Sequence, residues 1–271
     1  MKVFAIRNEE ESSGKDLGYL IYYEKGKRFY IELPEDADEW ETPLLLSSFL
    51  KRDERTVNAY FSRLWVQQRI VPADRQNLGR ILRENGLSEY DEYGLLMLAG
   101  GRCAQDSYYL AAVDASTAEV KFKERYKKKV EDAVPLQKNR LLVFFRDGKV
   151  KKCDVSALVG DNRFFGPVLS SETVFRRVAV QIGGYGVRWS ETAEISDRAL
   201  YEAGEEVPLS RDDFIRFISD RVIGSAEAAE LLACSRQNIH DLTRHKKLHP
   251  VKTEQKATFF LKSEVLQRMW S

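Results

Sequence analysis

Ser225-Ala226-Glu227-Ala228-Ala229-Glu230-Leu231-Leu232-Ala233-Cys234-Ser235-Arg236-Gln237-Asn238-Ile239-His240-Asp241-Leu242-Thr243-Arg244 reads as two short helical patterns on either side of a tight turn. Ser225 is placed to cap the first, Ala226 to Leu232, with Ala229 and Leu232 turned inward, and Ala233-Cys234 makes the turn. Ser235 caps the second, Arg236 to Thr243, whose Ile239 and Leu242 lie three apart on the buried side. Two capped helices joined by a turn of about three to four residues make a helix-turn-helix. On the second helix Arg236, His240 and Arg244 recur every four residues, with Gln237 beside Arg236. One face therefore carries the forked and bidentate hydrogen-bonding groups that read base edges in a major groove. Ser235, at the helix N-terminus, suits a phosphate.

Further along, Lys247 to Lys252 and Lys256 to Leu261 read as the two strands of a basic hairpin. Ser263 caps a closing helix, Glu264 to Trp270, with Val265, Leu266, Met269 and Trp270 available for packing. From Arg221 to Ser271 there are nine Lys/Arg against five Asp/Glu, a net charge of +4. The other 220 residues carry 34 basic and 37 acidic groups, a net of −3, so the formal +1 of the whole 271-residue chain averages two unlike parts. All three histidines, His240, His245 and His249, fall in the basic part. Together with Cys234 they match no closed zinc spacing, and no metal site or cofactor is expected.

The stretch from about Val222 to Trp270 resembles the winged helix-turn-helix of the excisionase and MerR-like families. The resemblance covers Ser235, Arg236, Gln237 and His240 on the second helix and Lys252 and Lys256 on the wing. Lys246-Lys247 stands where those families usually have a Gly in the turn before the wing strand, which leaves the wing's shape open while keeping phosphate contact. The expected DNA-contacting set is Ser235, Arg236, Gln237, His240, Arg244, Lys246, Lys247, Lys252 and Lys256.

Upstream, Arg140 to Phe145 and Val150 to Val155 flank the Asp147-Gly148 turn of a hairpin. Phe175 to Ile182 and Gly186 to Trp189 read as a second hairpin around Gly183-Gly184-Tyr185, and Ser196 caps a short helix ended by Gly204. The order of Phe145-x-Asp147-Gly148, Cys153-Asp154-Val155, Phe164-Phe165-Gly166-Pro167-Val168, Trp189 and Leu200-Tyr201, over roughly Val130 to Val207, is similar to the small bacterial domain of unknown function 2442. That resemblance implies a compact α+β fold, occurrence in operons of toxin–antitoxin character, and fusion in some members to a helix-turn-helix.

The N-terminal part begins with a strand at Val3 to Ile6 and a hairpin, Leu17 to Tyr23 and Arg28 to Leu33. Helices follow at Leu44 to Leu50, at Thr56 to Gln68, around Leu78 to Leu82 and through Leu95 to Leu98, before a returning strand at Tyr108 to Val113. Leu17-Gly18-Tyr19-Leu20, Thr42-Pro43-Leu44, Ile70-Val71-Pro72 and Leu95-Leu96-Met97-Leu98-Ala99-Gly100-Gly101 resemble the N-terminal subdomain of the HipA toxin kinases, which implies a part that meets a partner protein. The kinase catalytic region has no counterpart here, and Arg102-Cys103-Ala104-Gln105-Asp106 departs from the family's small-residue pattern.

Six of the nine residues Lys121 to Lys129 are basic, which reads as a solvated linker at 117–129. The expected architecture is thus α+β and multi-domain. It comprises a mixed unit at 1–116, the basic linker, a small α+β unit at 130–209 and a winged helix-turn-helix at 210–271.

With 43% hydrophobic and 31% charged residues the chain is globular in composition. It carries neither a secretory signal core nor an apolar run long enough for a membrane helix, and its three spaced cysteines make no disulfide framework; a cytoplasmic protein is expected. Gly100-Gly101 and Gly183-Gly184-Tyr185-Gly186 lack the Lys-Ser/Thr of a P-loop, and with every His in the basic part no nucleophile–base pair can be assembled elsewhere from a His. Asp147 and Asp154 could be a carboxylate pair, with a turn Asp as the default. A non-enzymatic regulator or antitoxin-like protein that binds double-stranded DNA, with the other parts binding a toxin-like partner or forming a homodimer, is the leading reading. A protein-interaction module that does not bind DNA competes with it, and an enzyme working through the middle part is the third.

Overall fold

A computed structural model describes residues 1–11 and 14–269, the side chains of Gln267 and Met269 apart. The chain is α+β, and its strand pairs are antiparallel.

The N-terminal part is built on a five-stranded sheet in the order Thr56–Val57, Arg28–Glu32, Gly18–Tyr23, Lys2–Asn8, Tyr108–Val113. The interior strand Lys2–Asn8 is an unbroken apolar run at Val3 to Ile6 because both faces of the sheet are covered. On one face Phe4, Ile6, Leu20 and Ile31 pack against Leu46, Phe49, Trp65 and Leu96 from the intervening helices. On the other, Val3, Ala5, Tyr19 and Ile21 meet Ala118, Phe122 and Tyr126.

That second cover corrects the expected linker. Residues 117–129 fall almost wholly within two short helices, Ser116–Lys121 and Lys123–Lys127. Their apolar residues recur every four positions and point at the sheet, while Lys121, Arg125 and Lys127 find acidic partners. Arg125 donates to Glu32 Oε2 at 2.7 Å and to the carbonyls of Arg55 and Leu33. Lys129 is fully buried, its Nζ 3.2 Å from Glu32 Oε1 and 3.1 Å from Asp197 Oδ2. A single ammonium thus ties the first sheet to a helix nearly seventy residues further on.

Residue 56 also departs from expectation. Thr56–Val57 pairs as an edge strand, and the helix starts at Ala59, capped by the Asn58 side chain on Phe61 N–H.

The middle part has a four-stranded sheet, Glu205–Val207, Val150–Asp154, Arg140–Phe145, Val130–Leu136, and a three-stranded one, Glu194–Ser196, Gly186–Arg188, Ala179–Val180. The hairpin at Asp147-Gly148 forms as the turn residues dictate, with Gly148 at φ 86°. The second hairpin is shorter than expected. Phe175 ends a small helix, Glu172–Phe175, capped by Ser171, and only Ala179–Val180 pairs with Gly186–Arg188. Trp189 explains why: its Nε1–H donates to the Phe175 carbonyl at 2.8 Å and its ring packs on Phe165 and Phe175, which pulls residue 175 out of the strand. Asp147 accepts from the Tyr201 hydroxyl at 2.7 Å, and Asp154 caps the helix Val155–Val159 through Ala157 N–H. The two carboxylates hold local structure and do not form a pair.

The helix Arg211–Arg221, opened by a Ser210/Asp213 capping box, leads into the C-terminal part. There a three-stranded sheet, Val222–Gly224, Thr258–Leu261, Pro250–Thr253, packs with the helices Ser225–Leu231, Arg236–Arg244 and Lys262–Met269 around Ile223, Ala228, Ile239, Leu248, Phe260 and Val265. Two boundaries move. Gly224, not Ser225, holds the cap position of the first helix, and the Ser225 hydroxyl donates to the Thr258 carbonyl. The last helix starts at Lys262 rather than after Ser263. Val265 is buried as expected, whereas the packing expected of Met269 and Trp270 lies outside the described residues. No helix among the described residues is long and apolar enough to cross a membrane.

Candidate nucleic-acid interface

The helix Arg236–Arg244 is held at three points. Ser235 accepts from Asn238 N–H at 3.2 Å, Ile239 is 1% exposed, and Thr243 Oγ1 donates back to the Ile239 carbonyl. The helical period lines up Arg236, His240 and Arg244 along one strip with Gln237 beside it, flanking the side that Ile239 buries, and all four are exposed. Asp241 sits at the margin of this face, its Oδ1 3.4 Å from Arg244 and 3.9 Å from His240. Arg236 makes no ion pair among the described residues.

The turns on either side explain how the helix is aimed. Ala233 has φ 50° and Lys246 has φ 54°, both left-handed. Each stands where a helix-turn junction usually employs Gly. The left-handed turn before the wing is therefore made by Lys246 itself, closed by Lys246 N–H to the Thr243 carbonyl and Lys247 N–H to the Leu242 carbonyl. Leu248, fully buried just beyond, anchors the chain's exit. Lys246 and Lys247 are left exposed at the C-terminal end of the helix, without an ion pair among the described residues.

The hairpin Pro250–Thr253 with Thr258–Leu261 carries the remaining candidates. It is shorter than expected at its start, because Leu248 and His249 belong to the turn. The His249 backbone N–H and ring both meet Glu264 Oε1, at 2.8 and 2.9 Å. Lys252 and Lys256 are exposed, and they differ in one respect. Lys252 lies 2.5 Å from Glu254, whereas Lys256, at the tip, has no ion pair among the described residues. Lys262, which the sequence reading did not single out, pairs with Glu227 at 3.0 Å and ties the last helix to the first.

The set Ser235, Arg236, Gln237, His240 and Arg244 is thus brought onto one helix, Lys246 and Lys247 follow it, and Lys252 and Lys256 lie on the adjoining hairpin. Elsewhere, a cleft of about 730 Å³ lies between the N-terminal and middle parts. Several of its charges pair with one another, as Arg198 does with Glu202 at 2.9 Å and Arg52 with Glu54 at 3.5 Å, and its lining includes neither His nor Cys. No protein-family model, no curated protein and no solved structure matches the chain.

Proposed function

We propose that the C-terminal part binds double-stranded DNA and that the protein is a transcriptional regulator or antitoxin-like DNA-binding protein. One observation carries the reading: a nine-residue helix buried through Ile239 presents Arg236, Gln237, His240 and Arg244 together to solvent. In this reading the helix enters the major groove. Arg236, near its N-terminus and without an ion pair among the described residues, offers its fork to guanine O6 and N7, and Gln237 beside it offers donor and acceptor to adenine. Lys246, Lys247 and Lys256 meet phosphates, fixing register without reading sequence. Lys252 must exchange Glu254 for a phosphate and therefore contributes less. The N-terminal and middle parts, locked to each other through Lys129, serve to bind a partner protein or to form a dimer.

Binding of the full chain to duplexes selected from a randomised pool tests the assignment. Arg236→Ala costs about 1–3 kcal/mol on the selected sequence and relaxes the preference at one position, while Lys256→Ala weakens selected and random duplexes alike. Equal losses on both duplexes for Arg236→Ala remove its base-reading role.

A further inference from the structure

The helix Arg211–Arg221 has no buried residue. Its Phe214, Phe217 and Ile218 lie along one side with Ile215 at the margin, and Ile215, Phe217 and Ile218 are 48%, 54% and 57% exposed. Four large apolar groups within five positions are more than a solvated connector requires, and the capping box at Ser210 gives the helix a defined start. What its apolar side fits is visible at one point. The ring of Phe214 meets that of Phe144 edge-on at 5.4 Å.

Phe144 lies on the outward face of the four-stranded sheet, since Leu141, Val143 and Phe145 face the core. Leu142 shares that outward face, with Val134 directly opposite it across the strand pair and 40% exposed. An apolar strip of the sheet, Phe144, Leu142 and Val134, bordered by Asp132 and Lys152, thus adjoins an apolar helix side and touches it through one ring pair, with Val134 and the far half of the helix side left uncovered. With Leu209, 48% exposed, the uncovered side chains amount to roughly 500 Å², near the upper end of what monomers leave to water.

We propose that a second copy of this chain covers this surface, the helix Arg211–Arg221 of each copy lying on the sheet face of the other. Each chain supplies one helix side and one sheet face, so a two-fold pair uses both and leaves neither over. Two such patches face to face give about 1,000 Å², the lower bound for a specific interface. One charged contact already lies at this seam, Arg211 with Glu131 on the sheet's edge strand at 3.5 Å, and the helix, with three Arg and three Asp, brings no net charge that would oppose pairing. The pairing stands apart from the DNA reading, although a two-fold dimer suits paired half-sites.

Sedimentation equilibrium of the full chain tests it. The wild type sediments at twice the mass of one chain, and Phe217→Glu/Ile218→Glu and, from the sheet side, Val134→Glu sediment as monomers with unchanged circular dichroism. Trp40→Glu, at an exposed apolar residue elsewhere, stays dimeric. A wild type monomeric up to about 100 µM overturns the proposal, as do both folded variants remaining dimeric. A dimer without DNA binding overturns the functional proposal and leaves this one standing; a DNA-binding monomer does the reverse.

Discussion

Replacing Lys129 by Met removes a charge and little volume, so the consequence is electrostatic. In the native chain this ammonium is fully buried between Glu32 and Asp197 and lies 3.5 Å from the centre of the Tyr185 ring. Glu32 survives the change well, because Arg125 holds its Oε2 at 2.7 Å and the Thr56 hydroxyl donates to it at 2.8 Å. Asp197 does not, since Lys129 is its ion-pair partner among the described residues. Orphaning one member of a buried pair costs about 3–5 kcal/mol, and with Glu32 still served the lower end applies, about 3 kcal/mol at neutral pH. For a chain of this size that is roughly 6–12 °C in Tm.

The loss depends on pH in a defined direction. Burial already raises the Asp197 pKa above the ordinary value against the pull of Lys129, and removing Lys129 raises it further. A carboxyl whose folded pKa exceeds its unfolded one takes up a proton on folding at pH values between the two, so this group's contribution to stability improves as pH falls through that window. The variant's deficit relative to wild type is therefore larger at pH 7 than at pH 5. Urea unfolding of both proteins at the two pH values measures it, and Asp197→Asn added to Lys129→Met restores part of the stability at pH 7. A deficit under about 1 kcal/mol at pH 7, or one of equal size at both pH values, refutes the buried ion pair as the lock between the two parts.

Three further outcomes follow from local geometry. Ala233 is exposed and left-handed, so Ala233→Gly relieves strain without losing packing and stabilises the chain by about 0.5–1 kcal/mol, read as a rise in urea midpoint. Lys246→Gly stabilises by a similar amount but weakens binding to every duplex, because the same residue makes the turn and presents a charge. Burial pushes the Cys153 thiol up to about 11, so at pH 8 a thiol reagent titrates Cys103 and Cys234 in the native protein and reaches Cys153 only on unfolding.

Features set by neighbours in sequence were legible. The Asp147-Gly148 hairpin, the Ser196 and Ser235 caps and the Ile239 side of the second helix each depend on residues within a few positions, and all form. Features set at a distance were not. The run at 121–129 reads as solvated because Glu32 and Asp197, which neutralise it, are far away in sequence; the signal that betrays it is Ala118, Phe122 and Tyr126 at four-residue spacing between the lysines. Phe175 fits a strand by propensity, yet the Trp189 indole captures its carbonyl and ends a helix there. In the candidate interface the composition of the face could be read directly. The pairing of Lys252 with Glu254 and the left-handed Lys246 depend on how the hairpin folds back.

The salt dependence of DNA binding by the full chain, on duplex from its own upstream region and on random sequence, tests the central claim most directly. Lys246, Lys247 and Lys256 on phosphates, with Lys252 adding less, predict that log K falls with log salt at a slope of roughly −3 per chain, with tighter binding to the upstream duplex. Absence of salt-dependent binding to either duplex contradicts the account.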